Sequence, residues 1–410
     1  MIKSLKRIVS IFVCILVVAG CEGLYPPAEK DRQMIMCYIA CHDNQLSDAS
    51  RAAIDDIRNN GELPLTDDDS KVLLIYYHLA DSVPVLSRFS RDGSGKCIED
   101  KLVQYPGSSV LSVLSLNPGQ IRQVWNDAQA LYPSNRQSLM ISTHGSGYLP
   151  AGYLSKPEDR LDRNEQDPFK HLVKSGDDTR SVGPDDDTEI EVPALVSALE
   201  GVHFDFVLFD CCLMAGVEVA YQMRNLCDYM IASPTEIMSK GVICGELIAP
   251  SFSTEAEQAA RSICEVYMKH VRNDADFYSS GCVSAVKTSE LEDLSNVCND
   301  IYSRRRDTIP TIAATSVQPY FRGRQHWFYD FGDFVRQICR NGDGTEDEAY
   351  GLFQSALDRA VIFKDTTPYF LDVTINRYSG LSTYIPRSTC PTLNNYYKSL
   401  DWNKATGFIR

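Results

Sequence analysis

The chain is short of positive charge: 40 Lys and Arg stand against 55 Asp and Glu in 410 residues, a formal net charge of −15. No basic face offsets that excess, which excludes a role in binding nucleic acid. It also lacks an apolar run long enough for an ordinary membrane span; residues 8–18 (IVSIFVCILVV) are too few. No CxxC is matched by a second CxxC, so a zinc site is not expected. There is no internal repeat and no low-complexity tract, which removes the solenoid and tail-like classes. What remains is the composition of a soluble globular protein, 44% hydrophobic and 23% charged, long enough for one large domain or two ordinary ones.

The N-terminus does not read as part of that fold. Lys3, Lys6 and Arg7 precede the apolar run, which ends in Val18-Ala19-Gly20-Cys21. That ending resembles the bacterial lipobox. The resemblance implies a signal peptide at 1–20, removed on export, and a diacylglycerol on the Cys21 sulfur. A doubly or triply acylated Cys is a stable anchor to the cell envelope, here expected at the outer membrane. Residues 21–33 read as a tether. The mature chain keeps 37 positive and 55 negative residues, a charge of −18. Of 14 Cys, 12 remain once Cys14 and Cys21 are set aside. Cys37, Cys264 and Cys298 lie in apolar strand or helix patterns, where a free thiol behaves as a small hydrophobe, so the spacing does not read as a disulfide framework.

Continuous apolar runs at 34–40 (MIMCYIA), 72–79 (VLLIYYHL) and 204–209 (FDFVLF) predict buried strands. Further strands are expected at 83–89, 138–142, 229–232 and 283–286. Helical spacing predicts helices over 50–59, 118–131, 193–199, 213–228, 255–271 and 289–306. The alternation points to an α/β fold with a mostly parallel sheet covered on both faces. A tail with helices near 331–340 and 346–361, and a strand around 380–386, is expected to add an α+β extension. The division is then 34–305 as the main domain and 306–410 as a segment packed on it. Residues 150–190, rich in Pro and charge, read as a long surface loop.

In parallel sheets, functional groups collect at the carboxyl ends of strands. Two such ends carry reactive side chains: His144 after 138–142, and Cys212 after 204–209. A thiol needs a base to form thiolate, and imidazole is its usual partner. Gly145 leaves room for a substrate backbone and offers an unobstructed N–H. Spacing alone leaves the alternatives open: a strand-end His is often structural, and a buried Cys is often core.

The local sequences are more specific. Thr143-His144-Gly145-Ser146-Gly147-Tyr148 resembles the His-Gly-Ser-Gly-aromatic motif of clostripain-like peptidases, and Asp210-Cys211-Cys212-Leu213-Met214 their Asp-Ala-Cys-Leu-Met motif, continued by Glu218-Val219-Ala220-Tyr221. Asp43-Asn44, and the run from Ser379 to Pro386 with Trp402, resemble the flanking parts of that family. The resemblance spans residues 34–405. It implies a caspase-like three-layer sandwich and a Cys-His dyad of Cys212 and His144, with the N–H groups of Gly145 and Cys212 as the oxyanion hole. It also implies cleavage of protein or peptide substrates after Arg or Lys, with Asp210 and Asn44 lining the pocket for the basic side chain. Cys211 stands where the family has Ala. Because neighbours in a strand face opposite sides, only one of the two thiols can face His144.

Residues 233–241 (SPTEIMSKG) depart from the acidic, glycine-rich loop of the family, where Lys240 either opposes a basic substrate group or points to solvent. Lys156, Arg160, Arg163, Lys170, Lys174 and Arg180 are candidate self-cleavage sites in the 150–190 loop. Asp177, Asp178 and Asp185 to Asp187 are candidate calcium ligands, without the spacing or Gly of an EF-hand. The chemistry itself needs no cofactor. The alternative reading is a non-catalytic surface lipoprotein that uses the same scaffold to bind peptide or glycan.

Overall fold

The computed structural model of the chain describes residues 31–41, 44–80, 82–106, 116–154, 190–273, 279–321 and 327–410, with the side chains of 44 and 45 outside that description. The signal peptide, Cys21, the candidate cleavage and calcium residues of the 150–190 loop, and the side chain of Asn44 lie outside the described residues.

The elements in chain order are β1 (Gln33–Cys41), α1 (Asn44–Asn60), β2 (Lys71–Leu79), β3 (Val85–Arg91), β4 (Cys97–Gln104), α2 (Pro118–Leu131), β5 (Arg136–Ser142), α3 (Val192–Ala198), β6 (Phe204–Asp210), α4 (Val217–Met223), β7 (Cys227–Ala232), α5 (Ile248–Ser251), α6 (Ala256–Asn273), β8 (Cys282–Lys287) and α7 (Leu291–Arg304). There follow β9 (Tyr329–Asp330), α8 (Phe331–Ile338), α9 (Glu348–Ala360), β10 (Val361–Thr366), β11 (Tyr369–Phe370), β12 (Val373–Thr374), β13 (Ser382–Thr383), α10 (Pro391–Tyr397) and α11 (Asp401–Thr406).

Nine strands form one sheet in the order β10-β8-β7-β6-β5-β1-β2-β3-β4. The central strands β2, β1, β5, β6 and β7 are parallel, and antiparallel strands complete both edges. The parallel centre is the apolar part of the sequence: all nine residues of β1 are buried. Strand order runs one way from β1 to β2 and the other way from β5 to β7. The topological switch therefore falls between β1 and β5, where a crevice opens at the carboxyl ends. Right-handed crossovers put α1 on one face and α3 and α4 on the other. Helices α5 and α6 pack together on the α1 side, while α2, α7 and α11 extend the opposite layer.

The helix expected over 213–228 is shorter than its periodicity. Only Val217–Met223 is helical, and 227–232 is strand. The backbone of 213–215 is committed elsewhere: the Leu213 N–H donates to Thr235 O and the Ala215 N–H to Ser233 O, both at 2.9 Å. Helix α1, by contrast, begins six residues before the periodic stretch, at the end of β1. Edge strands β4 and β10 escape the apolar pattern because much of each is open to solvent. The strand expected around 380–386 is reduced to β13, since its neighbours spend their backbone groups on other partners: Phe331 N–H donates to Leu381 O, and Ser382 N–H to Ala215 O. Segment 306–410 contributes β10 to the main sheet and sends α11 onto α4 and α7.

Candidate active site

The register of β5 and β6 ends with Ser142 opposite Asp210. Two residues beyond the end of each strand stand His144 and Cys212. The loops that carry them are pressed together by glycine. A Cβ on Gly145 would lie 2.5 Å from the Cys212 carbonyl oxygen, 2.8 Å from Cys211 Cβ and 3.0 Å from Cys212 N. Gly147 has φ +65°, and a Cβ there would meet Leu213 O and the Phe328 ring at 2.7 Å. Both glycines of the His-Gly-Ser-Gly motif are thus required by the chain that carries the two thiols. Thr143 Oγ1 donates to Ala40 O at 3.0 Å and ties the same turn to β1. His144 itself is partly buried.

Beyond Cys212 the chain turns sharply, with Leu213 at φ +64°. A left-handed conformation costs a non-glycine residue roughly 1–2 kcal/mol. It persists here because two backbone hydrogen bonds to 233–235 hold the turn. The two thiols face opposite ways, but strand alternation does not set this, because β6 ends at Asp210 and both Cys lie in the turn beyond it. Cys211 Sγ donates to Ile141 O at 3.4 Å. It lines a narrow apolar cavity of about 40 Å³ with Trp125, Leu195 and Met214, to which His144 and Gly145 also contribute. A void of that size holds a water molecule or so and no peptide side chain. Cys212 Sγ faces the 233–241 segment, where the Ile237 N–H donates to it at 3.1 Å. The sulfur also donates to Ile237 O at 3.6 Å, and the residue is fully buried.

Asp210 is 1% exposed. Its Oδ1 accepts from the Val242 N–H at 2.8 Å and its Oδ2 from Ser142 Oγ at 3.0 Å, so it fastens 233–242 to the end of β5. Met238, Lys240 and Val242 line a separate cleft of about 610 Å³ between α1 and α6, to which Asp56, Tyr267 and His270 also contribute. Asn44 opens α1 at the end of β1, on the same edge of the sheet.

One buried group carries no weight in the sequence reading beyond its place in a motif. Glu218, in the first turn of α4, is 2% exposed. Its Oε1 accepts from Tyr397 OH at 2.7 Å, Thr383 Oγ1 at 2.9 Å and Tyr384 N–H at 3.0 Å. Burial raises its pKa above the ordinary carboxylate value, against the opposing pull of those donors. The signal that could find it is a Glu inside an otherwise apolar helix, but its partners come from the far end of the chain.

All twelve Cys from Cys37 to Cys390 are free thiols. Among the described residues, no group of three or more His, Cys, Asp or Glu is arranged to hold a metal ion, and no helix is long and apolar enough to cross a membrane.

Known proteins supply the remaining comparison. An inactive zymogen C11 protease from Parabacteroides distasonis is 25% identical, with a TM-score of 0.73 over 91% of this chain and 97% of that one. A secreted C11 cysteine protease from Bacteroides thetaiotaomicron, solved with an irreversible peptide inhibitor, is 25% identical, with a TM-score of 0.71 over 91% and 98%. The structure of a secreted C11 cysteine protease from that organism, 22% identical with a TM-score of 0.73 over 92% and 99%, adds a likeness of fold. No curated protein matches. The profile of the clostripain family, Peptidase_C11, matches residues 37–408. With that match over nearly the whole chain and the caspase-like sheet of the C11 structures, this chain belongs to the clostripain family of cysteine peptidases.

Proposed function

We propose that the chain is an endopeptidase that cuts peptide bonds after Arg or Lys through Cys212 and His144. The observation that supports this most is the register of β5 and β6: counting two residues on from Ser142 and Asp210 gives His144 and Cys212. In this reading His144 takes the Cys212 proton, and the thiolate attacks the substrate carbonyl. The N–H groups of Gly145 and Cys212 stabilise the oxyanion. His144 then protonates the departing amine, and water hydrolyses the acyl-enzyme. No cofactor takes part in these steps. The Ile237 N–H donates to the Cys212 sulfur, so the 233–241 segment borders the nucleophile.

Asp210 and Asn44 supply the basic-residue pocket. The buried Asp210 carboxylate is the attraction for a guanidinium or ammonium group. Peptides are the substrates, as the inhibitor complex of the Bacteroides thetaiotaomicron relative suggests. The protein works outside the cytoplasm, held to the outer membrane by lipid on Cys21.

A fluorogenic peptide assay tests the reading. Cys212→Ala should lower turnover of an Arg or Lys reporter at least about a thousandfold, and Cys211→Ala should leave it largely intact. Full activity of the Cys212→Ala protein would sink the dyad. Equal cleavage after neutral residues would remove the basic preference and leave the dyad standing.

A further inference from the structure

We propose that Glu218 is a positioning residue for the nucleophile: the buried node that it forms with Thr383, Tyr384 and Tyr397 holds the strained turn at 213–216 and so sets where the Cys212 sulfur points. The inference rests on Cys212 being the nucleophile.

The hydrogen bonding of the Glu218 carboxyl is lopsided. Three donors converge on Glu218 Oε1, while Oε2 is buried with no hydrogen-bond partner. Burying a carboxyl oxygen without a hydrogen-bond partner is costly. Oε2 is pressed against the turn: a Cβ on Gly216 would meet it at 3.1 Å. The same turn is bridged to the C-terminal segment, with Gly216 opposite Ser382 and the Ser382 N–H donating to Ala215 O at 2.8 Å. Glu218 thus touches the far end of the turn whose near end is Leu213, at φ +64°, directly after Cys212.

The node also reaches the other loop. The rings of Tyr384 and Tyr397 lie 5.9 and 5.7 Å from the ring of Tyr148, which follows His144 in its motif. Tyr148 OH donates to Trp327 O at 2.6 Å and fixes that ring. One buried carboxyl therefore anchors the surface on which both loops rest. Displacing a reacting group by about 1 Å costs on the order of a hundredfold in rate even when the mutation is far from the chemistry.

The test measures kcat and KM of the full chain on a peptide reporter, well below the melting temperature. Tyr397→Phe removes one donor and should lower kcat about tenfold, and Glu218→Met, which removes the node, about a hundredfold, each with KM unchanged. Glu218→Gln restores an acceptor and should recover kcat to within about fivefold, the worth of one ordinary hydrogen bond. A folded Tyr397→Phe protein with normal kcat and only a lower melting temperature overturns the proposal, and it decides the matter if Glu218→Met does not fold. Cys212→Ala is the separate control. If that protein remains active, the dyad reading fails; if it is inactive while the node variants keep their kcat, only the positioning role fails.

Discussion

The two sides of the β6 exit are one peptide bond apart and chemically unlike. On the Cys211 side, the thiol donates to a β5 carbonyl and borders a void too small for a substrate. On the Cys212 side, the thiol meets the backbone N–H of Ile237, in a segment that borders a cleft of about 610 Å³. Both sulfurs lie near a backbone carbonyl, and Cys212 also accepts the Ile237 N–H, a contact that favours thiolate. Residue identity is the same on both sides; the turn that follows β6 points the two side chains to different neighbours.

The largest break in that comparison should come from the base. His144→Ala is expected to lower kcat/KM at least about a thousandfold, measured on a peptide reporter. Retention of activity would mean that the two sides differ for some other reason. Next comes the glycine that joins the loops. Gly145→Ala drives a methyl into the Cys212 carbonyl, so kcat should fall about a hundredfold and stability by about 1–3 kcal/mol. Gly93→Ala, with nothing within 4 Å of its Cβ, is the matched control and should change neither.

A smaller effect concerns the thiols buried away from the site. Burial pushes Cys37 up to about 12, helped by the Asp210 charge, and Cys282 up to about 11. Both should react with iodoacetamide at neutral pH at least about a hundredfold more slowly than a free thiol. Equal rates in the folded protein would contradict their burial.

The smallest effect is the pH dependence of Glu218. Its folded pKa is raised, so the folded state binds more protons than the unfolded state above the ordinary value of 4.5. The stability of the protonated form is complete below that value and is lost as pH rises through the folded pKa. The melting temperature of the protein should therefore fall relative to Glu218→Gln as pH rises from 4.5. A constant difference across that range would place Glu218 in one protonation state throughout.

Much of this arrangement is legible in the sequence where burial is uniform. The strands at 34–40, 72–79 and 204–209 read directly as apolar runs, because the centre of a parallel sheet has no solvent face. Helix α2 begins and ends as read, since Asn117 caps it by accepting from the Gly119 N–H and Pro118 occupies its first turn. Edge strands β4 and β10 give no such signal, because their exposed positions carry Asp100, Lys101, Gln104 and Lys364. The truncation of α4 and the burial of Glu218 depend on partners at 233–235 and 383–397, distances at which no local pattern reports. The motif glycines were visible, but the need for them lies in the Cys212 backbone as well as in any substrate.

The most direct measurement is to treat the active protein with a peptidyl acyloxymethylketone ending in Lys and to locate the adduct by mass spectrometry. The account predicts one adduct, on Cys212, that is lost in His144→Ala. An adduct on Cys211, or undiminished labelling without His144, would contradict it.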